Sequence, residues 1–383
     1  MQGIVLALFI CMLLALVTKR FSLPTIPFYI LAGLVLGKSG LDLVGADQVS
    51  AFLTHLGLIF LLFFMGLEIK PDRIWQNQSA IVSSGLIDLN INALLGFLSA
   101  YALGFSLSDS LIIAAAFFIS STAMAVTSLI ENRKLLMRES ETIVWLMVFE
   151  DMVVILILAL ITPQTGHPGI LLAKTITVLL FLYALIRFGK EQIIWILRRD
   201  DELPVLLTFS AVLGISALSI YMGIPESFMV IAFGTLLGTI DPVSFEVQSR
   251  PFKDVFLVVF FVFFGISVNI VSAGISFVVL IAVSVVAILS KYLSGIAIGK
   301  YIHKSSRSGI EIWANTIGRG EFSIVIAALY ASDAVSGTIA CMVIVTSILG
   351  AFVAKYSEKI GEILLRQGRR GVPLRTMKGA GQD

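Results

Sequence analysis

Charge is what this chain has least of. Of its 383 residues only 14% are charged, against 58% hydrophobic, whereas a soluble domain carries roughly 25% charged residues. A surface so poor in charge faces something other than water. Long apolar stretches recur, and many reach the roughly 20 residues that a helix needs to cross a hydrocarbon core. Cysteine is nearly absent: Cys11 and Cys341 both sit in apolar stretches, which argues against a disulfide framework. The histidines, His55, His167 and His303, are scattered without metal-ligand spacing, so no zinc site is expected. No G-x-x-x-x-G-K-[ST] phosphate loop is present, and ATP-driven transport of that kind is not expected. No G-x-G-D occurs, which disfavours an intramembrane protease of the kind that uses that motif. No enzyme activity and no cofactor are expected. The net charge of +2 is spread over loops, so nothing here is shaped for nucleic acid.

What is present is a series of apolar stretches bounded by charge, Pro and Gly. They predict an all-α polytopic membrane protein of about thirteen spans, near 2–18, 24–40, 51–69, 79–104, 109–130, 139–161, 169–196, 203–221, 225–240, 254–269, 273–299, 308–331 and 335–355. The first stretch is a span and not a signal peptide, because Lys19 and Arg20 follow the apolar run instead of preceding it. Connections after odd-numbered spans carry Lys19 and Arg20, Lys70 and Arg73, Arg133, Lys134 and Arg138, Arg198 and Arg199, Arg250 and Lys253, then Lys300, Lys304 and Arg307. Those after even-numbered spans carry Lys38 and little else. The positive-inside rule then places the N-terminus outside and the C-terminus in the cytoplasm. Residues 356–383, with Arg366, Arg369, Arg370, Arg375 and Lys378, read as a short basic cytoplasmic tail, too short for a separate ligand-binding domain.

An internal repeat is visible. Ile26-Pro27 opens a span containing Gly33-x-x-x-Gly37, and Ile224-Pro225 opens one containing Gly234-x-x-x-Gly238. Phe63-Phe64-Met65-Gly66 parallels Phe263-Phe264-Gly265-Ile266, and Ser120-Ser121-Thr122 maps onto Gly318-Arg319-Gly320, all at an offset of about 200 residues. Matching spans are seven apart, an odd number, so the halves have opposite orientation. Secondary transporters built this way place their sites at the repeat interface near the midplane.

Ionisable residues inside spans are functional candidates, because each costs about 2.5–3.5 kcal/mol at a helix centre on insertion scales. Asp88, Glu150, Asp151, Lys291, Arg319 and Glu321 are of this kind. Adjacent carboxylates at Glu150 and Asp151 cannot both stay ionised cheaply at that depth. Such a pair suits a site that takes a proton at one moment and a hard cation at another. Ser120-Ser121-Thr122 and Gly318-Arg319-Gly320 mark points where a helix can unwind around a cavity, although small residues also serve tight packing. Lys291 pairs with Glu150 or Asp151, compensates a helix end, or snorkels from near one. Arg319 and Glu321 pair with each other or with Glu150 and Lys291. Asp88, with Asn90 and Asn92 nearby, balances dipoles or bonds across helices. Glu68 and Lys70 read as solvated residues at the cytoplasmic end of the third span.

Phe64-Met-Gly-Leu-Glu, Ser120-Ser-Thr-Ala, Phe149-Glu-Asp, Lys291 and Gly318-Arg-Gly-Glu-Phe occur in order and cover nearly the whole chain. In these the chain resembles the membrane domain of the monovalent cation:proton antiporter superfamily, in its Kef- and NapA-like branch. The resemblance implies an NhaA-like fold, with spans 1–6 and 8–13 as inverted halves and spans 5 and 12 broken and crossed. It implies a homodimer in the cell membrane, with core helices at about 79–161 and 273–355 moving against a scaffold formed by the rest of 1–355. It implies exchange of a monovalent cation, sodium before potassium, for protons. Asp151 is then the metal-binding carboxylate shared by cation and proton, Ser120, Ser121 and Thr122 complete the site, and Glu150 tunes it through Lys291 or Arg319. Electrogenic relatives have aspartate where Glu150 stands, so the stoichiometry is open. Kef-type systems commonly carry a nucleotide-binding regulatory domain, for which this sequence has no room. The rival readings are a sodium-coupled symporter for an organic solute and a passive channel.

Overall fold

The computed structural model describes residues 2–21, 23–45, 47–68, 78–161, 168–270, 274–330 and 332–369. Lys70, Arg73, His167, Arg370, Arg375 and Lys378 lie outside the described residues. The helices are α1 (Gln2–Arg20), α2 (Thr25–Leu36), α3 (Gln48–Glu68), α4 (Gln78–Ala102), α5 (Leu107–Phe118), α6 (Thr122–Glu131), α7 (Arg138–Ile161), α8 (Pro168–Phe188), α9 (Lys190–Leu197), α10 (Leu203–Met222), α11 (Glu226–Gly238), α12 (Pro242–Ser267), α13 (Phe277–Ile302), α14 (Ser306–Thr316), α15 (Glu321–Tyr330), α16 (Asp333–Lys355) and α17 (Ser357–Arg369). Among the described residues the only β pairing is one isolated antiparallel bridge, between Ser120 and Arg319.

Among the described residues six helices, α1, α3, α4, α10, α13 and α16, are long and apolar enough to cross a membrane by themselves. Others are short because they are halves. The fifth expected span divides into α5 and α6, and the twelfth into α14 and α15. The seventh divides at Gly189, where the backbone leaves helical geometry (φ −86°, ψ 4°) and α9 begins. Glycine is a poor helix former, and here it ends one helix and starts the next.

The tenth span starts earlier than expected, at Pro242 instead of near residue 254. Asp241 caps that end by accepting from Ser244 N at 3.1 Å, and proline suits a first turn, where its missing N–H is not needed. Arg250 and Lys253, expected in a loop, therefore ride on α12. Residues 357–369 of the expected tail form helix α17.

Packing between the halves runs through glycines. A Cβ at Gly33 of α2 would lie 2.1 Å from Val262 O and 2.8 Å from Gly265 Cα of α12. A Cβ at Gly66 of α3 would lie 2.1 Å from Ile231 O and 3.0 Å from Gly234 Cα of α11. Backbones this close admit no side chain, and small-residue contact of this kind holds membrane helices together where lipid is as apolar as leucine. Around the contacts Phe60, Phe63, Phe64, Phe260 and Phe261 are buried. Facing outward are Val5, Phe9 and Leu16 of α1, Leu94 and Leu98 of α4, and Phe277 and Val278 of α13. Apolar surface so extensive on a folded chain matches hydrocarbon and not water.

Candidate functional site

The two interrupted helices meet. α5 stops at Phe118 because Ile119 (φ −81°, ψ 124°) and Ser121 (φ −82°, ψ 107°) are extended. The break between α14 and α15 lies against it: Ser121 N donates to Gly318 O at 2.9 Å, beside the Ser120–Arg319 bridge. A Cβ at Gly320 would stand 2.8 Å from Ser121 Cα, so glycine permits the approach. Each unwound segment thus supplies hydrogen-bond partners to the other. Non-helical backbone survives at membrane depth only where it is satisfied in this way or lines a cavity.

A broken helix exposes a carbonyl end carrying partial negative charge and an amide end carrying partial positive charge. The side chains around the crossing match these signs. Lys291 Nζ donates to Phe118 O, at the carbonyl end of α5, at 3.0 Å. Glu150 accepts from the amide of Ser120 through Oε2 and from Ser120 Oγ through Oε1 at 3.0 Å. Glu321 stands in the first turn of α15 and accepts from Ser121 Oγ at 3.3 Å. Ser121 Oγ in turn caps α6, accepting from Met124 N at 3.3 Å.

Lys291 has two carboxylate partners. Its Nζ lies 2.8 Å from Glu150 Oε1 and 2.7 Å from Asp88 Oδ2. Asp88 Oδ1 accepts from Ser294 Oγ at 2.7 Å and from Asn92 Nδ2 at 2.9 Å. Arg319 joins from the other side, its Nη2 donating to Ala287 O at 2.8 Å and to Ser290 Oγ at 3.2 Å. No carboxylate among the described residues forms an ion pair with Arg319, so the expected pairing with Glu321 is not formed. Of the alternatives for Lys291, the structure forms both the pair with Glu150 and the compensation of a helix end at Phe118 O, and adds Asp88. Snorkelling does not apply, since Lys291 is fully buried.

Asp151 is treated differently from its neighbour. Its Oδ1 is buried without a hydrogen-bond partner among the described residues, and the same holds for Thr122 Oγ1. The charged groups that act on Asp151 are Glu68, Glu150 and Glu321, all acidic. A cavity of about 770 Å³ opens beside the crossing, lined among others by Lys19, Ser121, Thr127, Glu131, Asn315 and Glu321.

Sequence reasoning missed Ser290 and Ser294, and gave Asn92 no role beyond its nearness to Asp88. The signal was present: Asp88 and Asn92 on α4, and Ser290 and Ser294 on α13, are each four residues apart and so share a helix face. It also missed Lys134. Expected as a loop charge, Lys134 is buried, and its Nζ donates to Glu311 Oε2 at 2.8 Å.

Interrupted helices crossing over a sealed charge cluster define a multi-pass ion-transporting membrane protein. A family model described as sodium/hydrogen exchanger, transmembrane, matches residues 5–355, and the chain belongs to that family. It is 26% identical to the K(+)/H(+) antiporter subunit KhtU of Bacillus subtilis over 94% of this chain and 93% of KhtU. It is 21% identical to the ammonium/H(+) antiporter subunit AmhT of Alkalihalophilus pseudofirmus over 93% of this chain and 92% of AmhT. In fold it is similar to the sodium proton antiporter MjNhaP1 of Methanocaldococcus jannaschii, with a TM-score of 0.66 and 19% identity over 94% of this chain and 96% of that one.

Proposed function

We propose that this protein is a secondary active antiporter that exchanges a monovalent cation for protons by alternating access, with Asp151 as the carboxylate the two ions share. The observation that carries the reading is that Asp151 Oδ1 and Thr122 Oγ1 are each left without a hydrogen-bond partner among the described residues. Both oxygens are buried and unpartnered, and the other unpartnered buried side-chain atoms among the described residues, Nε and Nη1 of Arg319, are donors that cannot bind a cation. A buried carboxylate oxygen without a donor needs a proton or a cation. Cation and proton compete for it, so binding of one releases the other to the water on the open side. Thr122 Oγ1 is an available hard ligand. Ser120 Oγ is already given to Glu150 and serves to orient it, while Ser121 links Glu321 to the amide end of α6. KhtU, AmhT and MjNhaP1 are named for exchange of potassium, ammonium and sodium ions respectively, so the transported ion is proposed as a monovalent cation, with sodium and potassium as first substrates to try.

The proposal includes thirteen spans in two inverted halves, an outside N-terminus, a homodimer, and a core that moves against a scaffold. The glycine contacts support the inverted repeat. At an offset of about 200 residues Gly33 maps to Gly234 and Gly66 to Gly265, so the Gly33–Gly265 contact maps onto the Gly234–Gly66 contact, and both are formed. Such reciprocity is what a pseudo-twofold axis requires.

The test is a pH-dye assay in proteoliposomes given sodium, lithium, potassium and ammonium gradients in turn. Wild-type protein should move protons against at least one cation, and Asp151→Asn should not. Exchange retained by Asp151→Asn would overturn the assignment.

A further inference from the structure

Four fully buried charges surround the crossing: Asp88 and Lys291 at 0% exposure, and Glu150 and Arg319 at 1%. Two are acidic and two are basic, so they cancel. Asp88, on α4, is the member that the shared-carboxylate reading does not use.

We infer that Asp88 is a positioning residue that holds Lys291 charged throughout the cycle and thereby fixes the exchange at one proton per cation. This rests on the proposed role of Asp151. The charged groups facing Lys291 are Asp88 from α4 and Glu150 from α7, and Arg319 from the crossing is linked to Asp88 through Asn92, which accepts from Arg319 Nη2 and donates to Asp88 Oδ1. Phe118 O adds the carbonyl end of α5. Lys291 Nζ thus has three acceptors, matching its three N–H groups. Asp88 is itself fixed by Ser294 and Asn92, the latter also receiving Ser290 Oγ at 2.7 Å. With both carboxylates in place, loss of a proton from Lys291 would strand a net negative charge inside the protein, where it is costly. The remaining groups near Asp151 stand apart from this seal. Glu68 is 59% exposed and lies 3.8 Å from Lys253, and Glu321 lines the cavity.

Charge then decides stoichiometry. Beside this set, whose charges cancel, Asp151 is the carboxylate that carries the transported ion, neutral with one bound monovalent cation and neutral with one proton. Both loaded forms of the core carry the same charge. Without the Asp88 carboxylate, the remaining cluster is one positive charge in excess. The inexpensive correction is for Lys291 to lose its proton when the cation arrives at Asp151. That proton leaves with the one displaced from Asp151, so two protons move per cation and the cycle carries charge.

The experiment is a null-point measurement in proteoliposomes, using whichever cation the flux assay shows to be carried. Cation and proton gradients are opposed until dye-reported flux vanishes, with and without a potential imposed by a permeant anion. Wild type should null at equal cation and proton ratios, unmoved by potential. Asp88→Asn should null at a proton ratio equal to the square root of the cation ratio and become sensitive to potential. Asp88→Glu should behave as wild type. The double variant Asp88→Asn with Lys291→Gln, whose buried charges cancel again, should return to equal ratios. A wild-type null that shifts with potential overturns the inference without needing any variant to fold. So does a folded Asp88→Asn that keeps the wild-type null with only a slower rate. Absence of cation-driven proton movement in wild type would instead sink the antiport reading, so the two failures are distinguishable.

Discussion

Replacing Lys134 by methionine is expected to destabilise the protein severely, and the size of the loss follows from where the lysine sits. Its side chain is 6% exposed and that of Glu311 is 7% exposed, with Nζ and Oε2 2.8 Å apart. Ser357 closes the group, receiving a hydrogen bond from Lys134 and donating to Glu311 Oε2 at 2.9 Å. The node ties together the turn after α6, the first half of the broken pair α14–α15, and the start of α17. Removing one partner of a sealed ion pair leaves the other charge buried, at about 3–5 kcal/mol. Removing both, with Lys134→Met and Glu311→Leu, leaves no stranded charge and should restore stability to within about 1 kcal/mol of the parent or above it. Equilibrium unfolding in mixed micelles reads this directly, since Trp313 lies on α14 close to Glu311 and stacks edge-on against Tyr292. Raising the salt concentration should leave the difference unchanged, because a pair shielded from water is little screened. A single variant within about 1 kcal/mol of the parent would refute the reasoning, as would a double variant as unstable as the single one.

Thr122→Val removes a buried hydroxyl that has no partner, so stability should hold while the apparent KM for the cation rises; an unchanged KM excludes Thr122 as a ligand. Gly320→Ala puts a methyl group 2.8 Å from Ser121 Cα, a backbone atom that cannot rotate away, and should lower stability by about 1–3 kcal/mol and abolish exchange. Thermal unfolding together with the dye assay checks both. Asp47, just before α3, accepts from Ser50 N at 2.7 Å, and this bond and the Ser50 hydroxyl hold its carboxyl below the usual aspartate range. The cap is therefore at full strength above about pH 4 and weakens as pH falls through the lowered value. The protection factor of the Ser50 amide, taken relative to the intrinsic exchange rate at each pH, should fall in acid and fall less in Asp47→Asn; a protection factor independent of pH contradicts the assignment.

The breaks in the two crossed helices were legible because Ser120-Ser121-Thr122 and Gly318-Arg319-Gly320 interrupt long apolar runs with residues that cannot serve lipid contact. The structure places the extended segments there, with Thr122 already the first residue of α6. The pairing of the charges was less legible. Lys291 was open to several partners, because its position on α13 does not say which helices it faces. Asp88 is about 200 residues away in the chain, and only the packing of α4 on α13 brings it to 2.7 Å. Lys134 was misplaced for a related reason. It falls between two spans among other basic residues, where a solvated loop is the ordinary outcome, and nothing local announces that Glu311 and Ser357 fold over it. The early start of α12 was hidden by its charged first turns, which interrupt hydrophobicity without interrupting the helix.

The geometry also explains why adjacent acids at one depth are read as having different work. Glu150 and Asp151 follow each other on α7, so their side chains leave the helix about 100° apart. That angle turns Glu150 into the crossing, where an amide, a hydroxyl and an ammonium hold both of its oxygens. It turns Asp151 away from them, among acidic neighbours and without a hydrogen bond to Oδ1. A carboxylate held by three donors is a poor carrier, since releasing it at every turn of a cycle would break the bonds that join the two broken helices. One with an unpartnered oxygen can exchange its ion without disturbing them. Exchange of Glu150 for glutamine should therefore loosen the crossing, and exchange of Asp151 for asparagine should silence transport with the fold intact. If the two variants failed in the same way, with equal loss of stability, this division between a structural acid and a transporting one would be wrong.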